Sequence, residues 1–255
     1  MIQLLELLNI LSSRFLIVFV GEWGSGKTLS MISYVRMMAE YAGIHKIITN
    51  VPLYFPNLDV DFSPLTGTKQ FTQLEQDTII CHDELLRDLD SRNALNPANR
   101  FLTSFCTSFR KMKVQEVGTI QYLKMVDIRF DDILQIIIFP KFKRKYHKKV
   151  SEDMKIRYAK KDFYMIWNII DKKEGKQHKI ELNLFPFLNM YDTNYIPEKL
   201  ALNHDEYLEF LGMSKSMKMK EWTIMKNEET EAKTRQIWNE GMKFLEAKNE
   251  SLRRS

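Results

Sequence analysis

The sequence predicts an α/β fold: a mainly parallel sheet followed by a C-terminal β-hairpin and a helical extension. Three observations predict it. Short runs of apolar, β-branched and aromatic residues, suited to strands buried on both faces, recur along the first 140 residues. Helical segments separate most of these runs, as right-handed crossovers between parallel strands require. Beyond Pro140 the pattern changes to two strands about a polar turn.

Met1 to Leu11 is apolar but lacks a basic start and a small-residue cleavage site, so it reads as a short packing helix rather than a signal peptide. Phe15 to Val20 is an unbroken apolar strand that ends at a glycine-rich turn. From Lys27 to Tyr41, Leu29, Ile32, Val35, Met38 and Ala39 recur at helical spacing, and Gly43 supplies the stop. Lys46 to Asn50 reads as strand two, Thr78 to His82 as strand three, Val117 to Ile120 as strand four and Ile133 to Phe139 as strand five. Pro52 to Thr68, with three prolines, reads as a connecting loop. Phe163 to Ile170 and His178 to Phe185 form the expected hairpin about the turn Asp171 to Gln177. The expected division is a packing helix over 1–14, one domain over 15–200 that includes the hairpin, and a charged helical extension over 201–255.

At 255 residues, with 44% hydrophobic and 28% charged residues, the composition is that of an ordinary globular chain. The longest apolar runs, Phe15 to Val20 and Ile136 to Pro140, fall far short of the roughly 18 to 20 residues that cross a bilayer, so no transmembrane segment is expected. Cys81 and Cys106 cannot build a disulfide framework, which points to a reducing, intracellular compartment. The five histidines lack metal-ligand spacing, and no structural zinc is expected. Charge is uneven: residues 1–140 hold 13 Lys+Arg against 15 Asp+Glu, and the remaining 25 against 18 lie C-terminal to them.

Gly21-Glu22-Trp23-Gly24-Ser25-Gly26-Lys27-Thr28 fits G-x-x-x-x-G-K-[ST] between a predicted strand and a predicted helix, the context that gives the pattern meaning. The glycines let successive backbone N–H groups turn inward around phosphates, and the helix adds its positive end. Lys27 is expected to reach the β and γ phosphates and Thr28 to place its hydroxyl on Mg²⁺. Trp23, inside the loop, faces either the nucleotide or a neighbouring molecule.

Asp83-Glu84 follows strand three, where a buried strand delivers carboxylates beside the phosphate loop. Asp83 is the expected Mg²⁺ partner, direct or second-sphere, and Glu84 the base that polarises an attacking water. Alone, the pair would serve equally to cap a helix. No Asn-Lys-x-Asp guanine-reading motif occurs, so ATP is the expected nucleotide, and a water-activating glutamate argues against a small-molecule kinase. These features define a RecA-like (ASCE) phosphate-loop NTPase, for which the expected strand order is 5-1-4-3-2. That order puts strand four beside the loop and Gln121 beside the γ phosphate, where its amide can hold water or sense the phosphate. Asn50, ending strand two, can hold Glu84 away from water, or simply form a turn.

The chain resembles the FtsK/HerA-type ATPases, most closely the genome-packaging ATPases of archaeal and internal-membrane viruses. The residues that carry this are Gly21 to Thr28, Thr49-Asn50-Val51, Asp83-Glu84, Asp90-Ser91-Arg92, Phe109-Arg110-Lys111, Ile120-Gln121 and Val126 to Phe130. The resemblance implies a ring, usually a hexamer, that pulls double-stranded DNA through a pore with ATP. It implies a viral genome packaged into a preformed capsid, a capsid or vertex protein as partner, and a place in the host cytoplasm or at the virion. It also implies ATP at subunit boundaries and an arginine acting in trans, Arg110 first and Arg92 second. Two departures stand out: Ile120 occupies a position that is often Thr, and Lys113 to Glu116 lacks the glycine common there. Alternative readings are a Zot-like ATPase of filamentous phage assembly and secretion, and a nucleotide-dependent regulatory protein that translocates nothing.

Lys141, Lys143, Arg144, Lys145, Lys148 and Lys149 interleave with Phe142 and Tyr146 directly after strand five. They read as a loop that contacts DNA phosphates without sequence preference, or as a solvated hairpin end. Trp167, Trp222 and Trp238 read as packing residues.

Overall fold

The computed structural model describes residues 2–55, 57–85, 109–126, 128–150 and 156–183, with 187, 190–191 and a few positions between 232 and 243. Helix α1 (Leu4–Ser12) leads into strand β1 (Leu16–Val20) and helix α2 (Lys27–Tyr41). Strands β2 (Lys46–Thr49), β3 (Asp61–Pro64), β4 (Thr78–His82) and β5 (Gln115–Ile120) follow. Helix α3 (Ile128–Ile133) precedes β6 (Ile136–Val150), β7 (Ile156–Asp171) and β8 (Lys176–Asn183).

The strands form one sheet in the order β3-β2-β4-β5-β1-β6-β7-β8. Every pairing from β3 to β6 is parallel, and β6-β7 and β7-β8 are antiparallel. The five strands expected from the sequence keep the relative order 5-1-4-3-2 as β6, β1, β5, β4 and β2. The full order is longer, with β3 outside β2 and the two hairpin strands outside β6. This is the fold of a phosphate-loop NTPase with a RecA-like sheet.

Burial explains the central strands. All five residues of β1, all five of β4 and all six of β5 are buried, so apolar side chains alternate into two cores rather than one. One core joins Leu7 and Leu11 of α1, most of α2, and Ile138, Met165, Trp167 and Ile180 of the hairpin sheet. The other lies on the opposite face and holds Val18, Leu85, Phe109, Phe130 and Ile137. The sulfur of Cys81 is buried mid-strand in β4; burial first, then Asp83, pushes its thiol up to about 12.

Three elements differ from expectation. The proline-bearing stretch 52–68 was expected to be a loop throughout, yet Asp61–Pro64 adds a parallel strand to the open edge of β2, with Pro64 at its last position. Ile133 closes α3 instead of opening a strand, and β6 starts at Ile136. The basic cluster is not a loop: β6 runs unbroken to Val150, because pairing with β7 satisfies its backbone whatever its side chains are, with a register shift at His147/Lys148. From Pro140 onward the β6-β7 ribbon has left β1 behind and extends roughly 35 Å past the end of the parallel sheet at 3.3 Å per residue.

At the opposite edge Arg14, at the α1–β1 junction, donates to Asp171 (2.6 Å) and Glu174 (2.8 Å) at the β7–β8 turn. Gln115 donates to the carbonyls of Leu11 and Arg14 and accepts from the Tyr34 hydroxyl, which ties α1 and α2 to β5. Asp171 is fully buried, so it needs the guanidinium beside it.

Candidate functional site

The phosphate loop spans the gap between β1 and α2 at the C-terminal edge of the sheet. Gly24 and Gly26 adopt positive φ, +75° and +86°, which lets the chain turn tightly between β1 and α2, and Ser25 N–H donates to Glu22 O at 3.2 Å across that turn. A Cβ on Gly21 would lie 2.6 Å from Ser25 Oγ, and one on Gly26 would overlap the terminal methyl of Met165. Gly21 N–H donates to Ile120 O at 3.3 Å, fastening the loop to the end of β5. Gly26 is also the N-cap of α2 and offers no side-chain cap, so the first-turn N–H groups are left for a ligand. Ser25 Oγ is buried without a partner among the described residues. An unspent hydroxyl, free N–H groups and a nearby ammonium form a donor set that fits phosphate.

Lys27 Nζ donates to Glu22 O at 2.9 Å, spanning its own loop. Burial holds its ammonium below the ordinary lysine value, against the opposing pull of Asp83 and Glu84. Lys27 therefore lies within electrostatic range of both acids. Glu22 is exposed and the indole of Trp23 is 77% exposed at the loop tip.

Asp83 and Glu84 stand just past β4. Thr28 Oγ1 donates to Asp83 Oδ1 at 3.0 Å, and Thr119 Oγ1 donates to the same oxygen at 2.7 Å. Burial raises the Asp83 carboxyl above its usual value, and the two hydroxyls and Lys27 work against burial. A threonine hydroxyl next to a buried carboxylate supplies hard oxygen ligands that fit Mg²⁺, provided phosphate oxygens and water complete the shell. Among the described residues no group of three or more His, Cys, Asp or Glu could hold a metal unaided.

Glu84 sits at φ +55°, a left-handed conformation uncommon for a non-glycine residue. Three contacts hold the turn. Glu84 N–H donates to Thr119 Oγ1 at 2.9 Å. Asn50 Oδ1 accepts from Asp83 N–H at 2.7 Å, and Asn50 Nδ2 donates to Asp83 O at 2.8 Å. Asn50 was expected either to hold Glu84 or to form a turn; these two bonds clamp the backbone of Asp83, one residue before Glu84. Leu85 then folds back over Gly118, where a Cβ would come within 3.1 Å of it.

Gln121 follows β5 immediately, and β5 lies between β1 and β4, so Gln121 stands at the same edge as the loop and the acids. Arg110 does not: it is exposed and lies with Phe15, Lys113 and Gln135 at the N-terminal edge of the sheet. It cannot serve the loop of its own chain. Arg92 lies outside the described residues. Of the basic cluster, Lys141 and Lys143 are exposed on β6, whereas the side chains of Arg144, Lys145, Lys148 and Lys149 lie outside the described ones.

Two residues join the site without having been expected. Thr119 bridges both acids, and the strand register signals it: Cys81 pairs with Val117 and His82 with Gly118, so the next step sets Asp83 beside Thr119. Tyr191, bridged to Leu53, has its hydroxyl pushed up to about 12, by burial first and by Asp83 second. It comes from a segment far along the chain, and no local pattern marks it.

No protein-family model matches the sequence, and no curated protein matches it. Solved structures similar to the chain include the N-terminal domain of zonular occludens toxin from Neisseria meningitidis, at 17% identity and TM-score 0.42, covering 70% of this chain and 100% of that one. The genome packaging NTPase B204 from Sulfolobus turreted icosahedral virus 2, in complex with ATP-gammaS, is 11% identical at TM-score 0.44, over 66% of this chain and 96% of that one. The ATPase DotB from Legionella pneumophila is 13% identical at TM-score 0.40, over 65% and 49%. The chain resembles viral phosphate-loop packaging ATPases in its motifs and has such proteins among its structural neighbours. Among the described residues no helix is long and apolar enough to cross a membrane.

Proposed function

We propose that the chain is an ATPase that translocates double-stranded DNA, packaging a viral genome into a preformed capsid as a ring, with a hexamer the expected form. The observation that carries this reading is the hydrogen bond from Thr28 to Asp83, which joins the phosphate loop to the acidic strand and brings Lys27 into range of both acids.

ATP would lie with its β and γ phosphates against the loop N–H groups, Ser25 Oγ and Lys27. Thr28 and Asp83 would hold Mg²⁺, which would supply positive charge where negative charge builds on the phosphates. Lys27 offsets the charge that spreads onto the transferred phosphoryl group. Glu84 accepts a proton from the attacking water as its oxygen bonds to the γ phosphorus and the bond to the β–γ bridging oxygen breaks. Gln121 would orient that water or sense the γ phosphate. Thr119 and Asn50 position the two acids and touch no reacting atom.

Arg110 supports action between subunits, because its edge faces away from its own loop. In a head-to-tail ring it would approach the neighbour's γ phosphate, with Arg92 as the second candidate. The cationic β6-β7 ribbon supports DNA contact, and a capsid or vertex protein is the expected docking partner. The domain reading stays that of the sequence: a packing helix over 1–14, the ATPase domain over 15–200 and an extension over 201–255.

The test compares purified protein with Lys27→Ala, with and without duplex DNA and with Mg²⁺ present. Wild type is expected to hydrolyse ATP at least tenfold faster, since Lys27 contributes on the order of 1.4 kcal/mol or more to the transition state. Equal rates in the two proteins would sink the proposal. Sedimentation with a non-hydrolysable ATP analogue tests the ring.

A further inference from the structure

The hairpin sheet is more than a flank of the parallel core, since β7 lies against the phosphate loop itself. Met165 is fully buried, and its terminal methyl occupies the space a side chain on Gly26 would fill. Two residues further along the strand, Trp167 Nε1 donates to Ser30 Oγ at 3.0 Å, and its ring meets Phe19 edge-on at 5.4 Å. One strand thus touches the last glycine of the loop, the first turn of α2 and the strand beneath them.

The other face of the same strands carries, among the described residues, three exposed lysines and one acid, Glu181. Strand alternation turns Ile166 and Asn168 away from Met165; Ile166 lies between Lys141 and Glu181, and Asn168 between Phe139 and Lys179. Lys141, Lys143 and Lys179 are all exposed around a shallow groove that Ile166 and Asn168 also line. Only the thickness of one strand separates this groove from the phosphate loop.

We infer that the Lys141–Lys143–Lys179 groove binds the phosphate backbone of duplex DNA, and that Met165 couples occupancy of this groove to occupancy of the phosphate loop. This rests on the DNA-dependent ATPase reading above. Three exposed lysines against the one acid, Glu181, leave the face with a net positive charge that suits a sequence-independent polyanion, and Lys179 belongs to a strand that the basic run in the sequence does not include. A side chain of this volume suits the coupling position: the terminal methyl of Met165 fills the space over Gly26, so a shift of the loop passes to it by direct packing. A phosphate entering the loop moves Gly26, Gly26 displaces Met165, and β7 carries the shift to Ile166 and the lysines beside it. DNA on the groove acts back along the same path, as reciprocity of coupling demands.

The test measures ATP hydrolysis with and without duplex DNA for wild type, Met165→Ala and Met165→Leu, alongside DNA affinity without nucleotide. Wild type is expected to be stimulated several-fold. Met165→Ala is expected to bind DNA within about twofold of wild type yet lose most of the stimulation, and Met165→Leu, of similar volume, to recover it. Lys179→Gln is expected to weaken DNA binding and lower the salt slope by about 0.9. Stimulation of Met165→Ala equal to wild type, or an unchanged slope in Lys179→Gln, overturns the inference and leaves the ATPase reading standing. Absence of stimulation in wild type overturns the DNA-dependent reading itself. If Met165→Ala does not fold, hydrogen exchange of wild-type β7 with and without ATP-gammaS decides: altered exchange across 162–168 supports the coupling, and identical exchange refutes it.

Discussion

Replacing Thr119 by valine removes a single hydroxyl from the centre of the site and keeps the outline of the side chain. That hydroxyl donates to Asp83 Oδ1 at 2.7 Å and accepts the Glu84 N–H at 2.9 Å, and Thr119 is 1% exposed. A hydrogen bond to a charged group is worth about 1.5–3 kcal/mol, and an N–H stripped of its partner adds about 1 kcal/mol. Because the two share one oxygen they do not simply add, so about 2–4 kcal/mol of folding stability is the expected loss at neutral pH. If about 2–3 kcal/mol of that appears in the transition state, kcat falls about 30- to 150-fold. The pH dependence carries its own sign. Burial raises the Asp83 carboxyl and the Thr119 donor opposes it, so valine moves it further up. The hydroxyl stabilises the charged carboxylate, so its contribution is present above the Asp83 pKa and fades as pH falls through it. Urea denaturation of both proteins over a series of falling pH should show the gap narrowing on acidification. A variant with kcat within threefold of wild type, and a stability gap that stays constant as pH falls, would refute the reasoning.

Further outcomes follow from the same contacts. Asn50→Ala removes both bonds to the Asp83 backbone and should cost about 2–3 kcal/mol of stability, with kcat falling more than KM rises; steady-state kinetics and urea midpoints check this. Arg14→Ala leaves the fully buried Asp171 without its guanidinium, an expected loss of about 3–5 kcal/mol by urea denaturation. Lys176 first, and Arg14 after it, hold the Glu174 carboxyl down to about 2, against an ordinary 4.5. Its stabilising contribution is therefore present above 4.5 and lost as pH falls toward 2, and Glu174→Gln should flatten that part of the acid-denaturation curve.

The phosphate loop was legible because its residues are contiguous and each glycine answers a local demand of the backbone. Helix α2 was legible to its last residue, since apolar spacing, the loop before it and Gly43 after it agree. The inner strand order followed from fold class. Strand β3 was hidden because Asp61 to Pro64 has little strand character of its own; it forms where β2 offers an open parallel edge. The length of β6 was hidden by its cations, which obscure apolar alternation while leaving backbone pairing untouched. Glu84 gives no hint of its left-handed backbone, because that turn is imposed by Asn50 and Thr119 from two other strands. Thr119 itself requires the register of β4 on β5 before it stands out. The same limit applies to Arg110: its motif was visible, but its edge of the sheet is a property of the assembled fold.

The sulfur held inside β4 gives this protein a built-in clock. A thiol shifted to about 12 is almost wholly protonated at neutral pH and shielded from reagents, so alkylation at Cys81 must wait for the strand to come apart. The labelling rate, followed by mass spectrometry of the peptide that contains Cys81, then counts openings of the strand that leads into both acids. Any ligand that grips the loop through Thr28 and Asp83 should slow that count, which reports nucleotide engagement without measuring turnover.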